Sequence, residues 1–251
     1  MAFETDRKPF ASGYDATRAE AVPIDAGLRQ YMLRVYNYMA SGLFLSGLVA
    51  LLVANTSAQS LFFQVSETGR IGYTGLGFVG ILAPIGLILA MSFGANRMKT
   101  TTLQACYWAF VALMGVGLSV ILLTYTGVSV TRVFFITAAS FGALSLYGYT
   151  TKKDLSGFGT FLFMGLIGMM IAGVVQMFWT SPAVYFVYSV IGVLLFAGLT
   201  AYDTQGIKNQ YLMVRGSTME DSSAVMGAVR LYLDFINLFQ FLMSLMGQRR
   251  N

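Results

Sequence analysis

Two of the eleven acidic residues in this 251-residue chain stand apart from the others. Asp203 lies in Leu199-Thr-Ala-Tyr-Asp-Thr-Gln205 and Asp234 in Arg230-Leu-Tyr-Leu-Asp-Phe-Ile-Asn-Leu-Phe239, each within or at the end of a run apolar enough to cross a membrane. Ionisable groups in such runs are costly, so they tend to face the protein interior and to mark ion or proton paths. Two carboxyl groups brought together away from water cannot easily both ionise; they share a proton and titrate as a coupled pair. Once both are charged they repel and become a hard oxygen site that suits Ca2+. Two carboxylates fall short of the roughly six to eight oxygens of a tight calcium site, so passage or weak binding fits better than storage. The chemistry of the pair is therefore that of a proton-dependent latch and a weak metal site.

Plainer readings stand beside this one. Asp203 could cap a short loop among headgroups and water, and Asp234 could pair with Arg230, one turn earlier on its own helix. Asn237, three residues after Asp234 on the same face, could hydrogen-bond to it or to a neighbouring helix.

Whether the pair can form depends on the elements that carry it. The chain is 56% hydrophobic and 11% charged, with a mean hydropathy of +0.67, whereas soluble domains carry about 25% charged residues. A spanning helix needs roughly 20 mostly apolar residues. Seven such runs are found near 33–54, 71–93, 103–124, 130–150, 158–178, 183–204 and 228–247. The expected architecture is an all-α integral membrane protein: a polar amino-terminal tail over 1–28, then a seven-helix transmembrane domain over 29–251. Breaks at Asn55–Arg70, Gly94–Thr102, Tyr125–Ser129, Thr151–Gly157 and Thr180–Pro182 are short, while Gln205–Gly227 reads as one long polar connection.

The basic residues orient these spans. Arg7, Lys8, Arg18, Arg29, Arg34, Arg97, Lys99, Lys152, Lys153, Lys208, Arg215 and Arg230 fall on one face, against Arg70, Arg132, Arg249 and Arg250 on the other. The positive-inside rule then predicts a cytoplasmic amino terminus and a periplasmic carboxyl terminus. Basic residues set singly or in pairs at span ends also account for the net charge of +5 without nucleic acid as a partner. In this topology the sixth span exits and the seventh enters on the same face. Asp203, about one residue before the sixth ends, and Asp234, some six after the seventh begins, come to similar depth on antiparallel helices. At the carboxyl end of its helix, Asp203 would also meet a dipole that disfavours its charge.

Enzymatic chemistry has no foothold. The chain has no histidine and a single cysteine, Cys106, and it shows neither a nucleophile with a positioned base nor a cofactor motif. Gly75-Leu-Gly-Phe-Val-Gly80 reads as helix packing, mid-span and following no strand. Gly42 with Ser46, and Gly115 with Ser119, have the small-xxx-small spacing that lets helix backbones approach in lipid.

Ala201-Tyr-Asp-Thr-Gln-Gly-Ile-Lys208 and Leu231-Tyr-Leu-Asp-Phe-Ile-Asn-Leu-Phe239 together resemble the paired signature of the Bax inhibitor-1 family, the transmembrane Bax inhibitor motif proteins. Tyr149-Thr-Thr-Lys-Lys-Asp-Leu-Ser156 resembles that family's loop after the fourth span, and the likeness runs from about residue 29 to the end. The resemblance implies a bundle whose last helix is central and wrapped by six others. For the bacterial branch it implies a pH-sensitive calcium leak of the inner membrane, with Asp203 and Asp234 as the sensing pair and an arginine acting on them. Arg97 is one counterpart for that arginine. It also implies an alternative: a non-conducting regulator of a membrane protease or of cell-death machinery. No cofactor is expected; calcium ions, protons and the bilayer are the expected partners.

Overall fold

The computed structural model describes residues 13–65, 71–95, 97–179 and 181–250, with the side chains of the first helix from Ala26 onward. Eight helices and one short hairpin follow in order: α1 (Gly13–Asn55), α2 (Gln59–Phe62), β1 (Phe63–Val65), β2 (Ile71–Tyr73), α3 (Gly75–Gly94), α4 (Thr100–Thr124), α5 (Gly127–Thr150), α6 (Ser156–Phe178), α7 (Pro182–Val214) and α8 (Glu220–Met246). Seven of them, α1 from Ala26 onward and α3 to α8, are long and apolar enough to cross a membrane. The protein is an all-α, seven-helix membrane bundle. Part of the segment read as a polar tail continues α1 back to Gly13, while residues 1–12, with Arg7 and Lys8, lie outside the described residues, as does Arg70.

Burial picks out the centre. In α8, 61% of the most apolar window is buried, against 39% or less in every other span, although α8 has the lowest hydropathy of the seven. Ser222, Ser223 and Asp234 of α8 are buried, where other helices can satisfy polar groups. α1, α4, α5 and α7 pack directly on α8, whereas α3 leans on α4 and α6 on α7. The expectation of six wrapping helices is thus refined to four in contact and two outside. The outer pair present their large apolar side chains outward, as Leu82, Phe93, Phe163 and Met170 do, and there the bilayer takes the place of a core.

Two close approaches set the helix pairs. Gly115 of α4 lies against the backbone of Ser46 on α1, leaving no room for a Cβ, and Tyr107 crosses Gly42 in the same seam. The Ser46 hydroxyl donates to a carbonyl of α1 or α4, Gly42 (3.0 Å) or Val111 (2.6 Å), and shares a hydrogen bond with Tyr232 of α8 (2.6 Å). Gly148 of α5 lies equally close to the backbone of Ala201 on α7.

The connection expected over Gln205–Gly227 is mostly helix. α7 runs through Val214 and α8 starts at Glu220, leaving only 215–219 as the link. The polar residues of this stretch hide a helical stripe: Thr204, Ile207 and Tyr211 are buried at helical spacing, and the ring of Tyr211 packs 5.1 Å from that of Tyr31 on α1. Gly216, with φ of +70°, makes the turn, a conformation that suits glycine. With 33 residues, α7 is about 50 Å long at ~1.5 Å per residue, well beyond the ~30 Å hydrocarbon layer.

A second correction concerns Gly75–Gly80, which follows β2 and opens α3 instead of lying mid-span. Its role is still packing: Gly77 abuts the Phe62 carbonyl and Gly80 touches Val116.

The extended α7 also holds the α5–α6 loop. The side chain of Gln205 accepts from Leu155 N–H (2.8 Å) and donates to Lys153 C=O (2.8 Å), and Lys208 Nζ donates to Tyr149 C=O (2.9 Å). Gln205→Ala is expected to cost about 1–3 kcal/mol by leaving partly buried backbone groups unpaired. The readout is the melting temperature of the detergent-solubilised protein; a wild-type value would mean that other contacts hold the loop.

Candidate functional site

The site is built on α7 and α8, which pack as antiparallel neighbours. Asp203 sits eleven residues before the end of α7 and Asp234 fourteen residues after the start of α8. Both therefore lie about 16–21 Å along their helices from the connecting turn. Similar depth holds, as expected, but Asp203 is inside its helix and not at its carboxyl end, so the helix-dipole argument lapses.

The two carboxyl groups stand within hydrogen-bonding reach of each other. Asp234 is 4% exposed and Asp203 half-buried. Two ionised carboxylates cannot hydrogen-bond; one of them becomes a donor only by holding a proton. Asp234 Oδ2 is buried and has no hydrogen-bond partner among the described residues, an arrangement rare enough in folded proteins to need an explanation. The pair thus offers a place for one proton.

Of the arginines, Arg230 is the one whose charge acts on both carboxyls. It is exposed, one turn before Asp234 on α8. Arg97 is exposed in the turn between α3 and α4, its backbone N–H bonded to Gly94 C=O, and its charge is not among those felt by the pair. Asn237 donates one amide N–H to Leu233 C=O at 2.8 Å, a bond within its own helix. Arg34 of α1 forms an ion pair with Asp221 at the start of α8.

A set of hydroxyls beside the pair escaped the sequence reading. Thr204, next to Asp203, shares a hydrogen bond with Ser145 of α5 (2.9 Å), and Ser145 shares another with Tyr36 of α1 (2.5 Å). Three helices are tied together one residue from the acid. The available signal was faint, because such hydroxyls more often bond within their own helix, as Thr204 also does to Thr200 C=O.

As a cation site the pair is sparse. Among the described residues no group of three or more His, Cys, Asp or Glu side chains converges, and a hard divalent ion asks for more oxygens than two side chains give. What this geometry can do chemically is hold a proton between two acids, or face a passing cation with two charges, and not both at once.

Residues 28–251 match the family described as "Inhibitor of apoptosis-promoting Bax1". A protein of Caulobacter vibrioides is 46% identical over 243 residues, covering 96% of this chain and 97% of that protein. The inner membrane protein YbhL of Escherichia coli K12 is 42% identical over 227 residues, or 90% of this chain and 94% of its own. A protein of Rickettsia prowazekii is 42% identical over 235 residues, or 94% and 96% of the two chains.

Proposed function

The chain belongs to the Bax inhibitor family of integral membrane proteins, and from that premise we propose that it is a pH-sensitive cation leak, for Ca2+, gated by Asp203 and Asp234. The observation that carries this reading is the meeting of two carboxyl groups on neighbouring helices at the centre of the bundle. A shared proton latches α7 to α8. Loss of that proton leaves two negative charges in contact, and the helices relieve the repulsion by parting. The parted acids then form the weak Ca2+ site on the path, and Arg230 tempers their charge. The membrane is the bacterial inner membrane, as in the name of the Escherichia coli relative, with the amino terminus in the cytoplasm by the bias of basic residues.

The test is Ca2+ flux into liposomes holding only this protein, from about pH 6 to 8, where a coupled pair of acids can titrate. Flux is expected to rise with pH. No flux above protein-free liposomes at any pH would sink the leak and favour a non-conducting regulator, to be sought as a stable complex with a membrane protease or other partner in mild detergent.

Two substitutions sharpen the test. Arg230→Gln removes a positive charge that favours ionised acids, so the flux profile should move up by about one pH unit; an unmoved profile would remove Arg230 from the site. Asp154 serves as the control. Its carboxylate accepts from Ser156 N–H (2.9 Å) and Ser156 Oγ–H (2.7 Å), and these bonds hold it below the usual carboxylate range. Asp154 is therefore ionised throughout the assay, and its contribution is lost only in acid below that range. Asp154→Asn should leave the profile in place.

A further inference from the structure

α1 and α5 both pack on α8 but scarcely on each other, and a groove runs between them. Its lining includes Met32, Leu33 and Met39 of α1 and Phe141, Gly142 and Leu146 of α5, enclosing about 490 Å³. The hydrogen bond from Tyr36 to Ser145 bridges the two helices there, and Leu33 and Leu146 stand more than half exposed along the groove. Arg29, exposed, stands at one mouth with Tyr149. That mouth is at the bundle end where Lys99, Lys152, Lys153 and Arg215 are also exposed.

We infer that this groove binds one anionic phospholipid, its acyl chain between α1 and α5 and its phosphate on Arg29. The occupant follows from the shape of the site. A cleft that is apolar along its length and basic at its bilayer-interface end matches an amphiphile with a negative head. It opens sideways between two spans, so bilayer lipid is what meets it. Arginine and tyrosine at span ends commonly anchor at the headgroup level, and arginine offers a phosphate two parallel donors. This inference does not depend on the channel reading, because binding is measured apart from flux.

The test is native mass spectrometry of the delipidated, detergent-purified protein, titrated with phosphatidylglycerol, with phosphatidylcholine or with inorganic phosphate. One phosphatidylglycerol should remain bound per chain, with phosphatidylcholine held about tenfold more weakly, the worth of one charge-assisted contact. Arg29→Gln should erase that preference. Gly142→Phe should abolish retention of either lipid, because a Cβ at Gly142 meets nothing within 4 Å, so the ring enters the groove without disturbing the backbone. An unchanged melting temperature in both variants certifies that they are folded. Equal retention of phosphatidylglycerol by wild type and Gly142→Phe would overturn the assignment. So would displacement of the lipid by inorganic phosphate, which would make the site one for a free anion, or a lipid-free dimer, which would give the groove to a second copy.

Discussion

Replacing both Asp203 and Asp234 with Asn is expected to flatten the pH profile of Ca2+ flux, so that rates at pH 6 and pH 8 become equal. An amide can donate where a protonated acid donates, so the contact between α7 and α8 survives at every pH. What vanishes is the charge that would break it. A gate moves tenfold in open population for about 1.4 kcal/mol of differential stabilisation, and like charges in contact within a bundle supply more than that. The profile should therefore collapse in the double variant, at the low, latched rate. The single variants should lose the pH dependence too, because one ionised acid beside an amide has no like charge to repel it and accepts a hydrogen bond from the amide. Should the double variant keep the wild-type profile, the sensor lies elsewhere and the proposed latch is wrong.

The second large effect is structural. Gly148→Val sets a branched side chain against the carbonyl, carbon and Cα of Ala201, with ideal-Cβ contacts of 3.0 Å even to the farther two. Backbone atoms of a packed helix cannot swing aside as a side-chain tip can, so α5 and α7 must separate. Overpacking of this kind costs about 1–3 kcal/mol and occasionally more. Here the upper end is expected, because Ala201 is two residues from Asp203 and the hydroxyls of Ser145 and Thr204 would part as well. Denaturation of the purified protein in mixed detergent micelles measures the loss. Gly142→Val on the same helix, with open space at its Cβ, should match wild type. If both valines were tolerated alike, the seam would be softer than its geometry implies.

Much of this was legible in the amino acids. Hydropathy alone located seven spans, because a bilayer demands long apolar runs, and it exposed two acids inside them. The antiparallel order of consecutive spans brought those acids to one depth. The extent of α7 was not legible from hydropathy, since Gln205, Lys208 and Arg215 read as loop when only polarity is counted. Burial of Thr204, Ile207 and Tyr211 at helical intervals was the signal that would have found it. The arginine beside the acids was ambiguous for a similar reason. Arg230 was visible one turn before Asp234, but a local ion pair and a three-body site look alike in one dimension. The hydroxyl ties among Tyr36, Ser145 and Thr204 needed three helices to be placed before any pairing meant anything. So did the groove between α1 and α5, which exists only because both helices lean on α8.

The central position of α8 bears on how the molecule is made. A ribosome delivers the seven spans in order, and the one at the axis comes last. Until Glu220–Met246 enters the membrane, the preceding six have no common partner, and the inward faces of Ser46, Tyr107 and Asp203 stand around an unfilled slot. Neighbouring hairpins such as α3–α4 and α6–α7 can insert early, but the finished arrangement waits for the final helix to slide between α1, α4, α5 and α7. Biogenesis should therefore be close to all-or-none. Chains stopped before residue 220 are expected to be inserted yet cleared by membrane quality control.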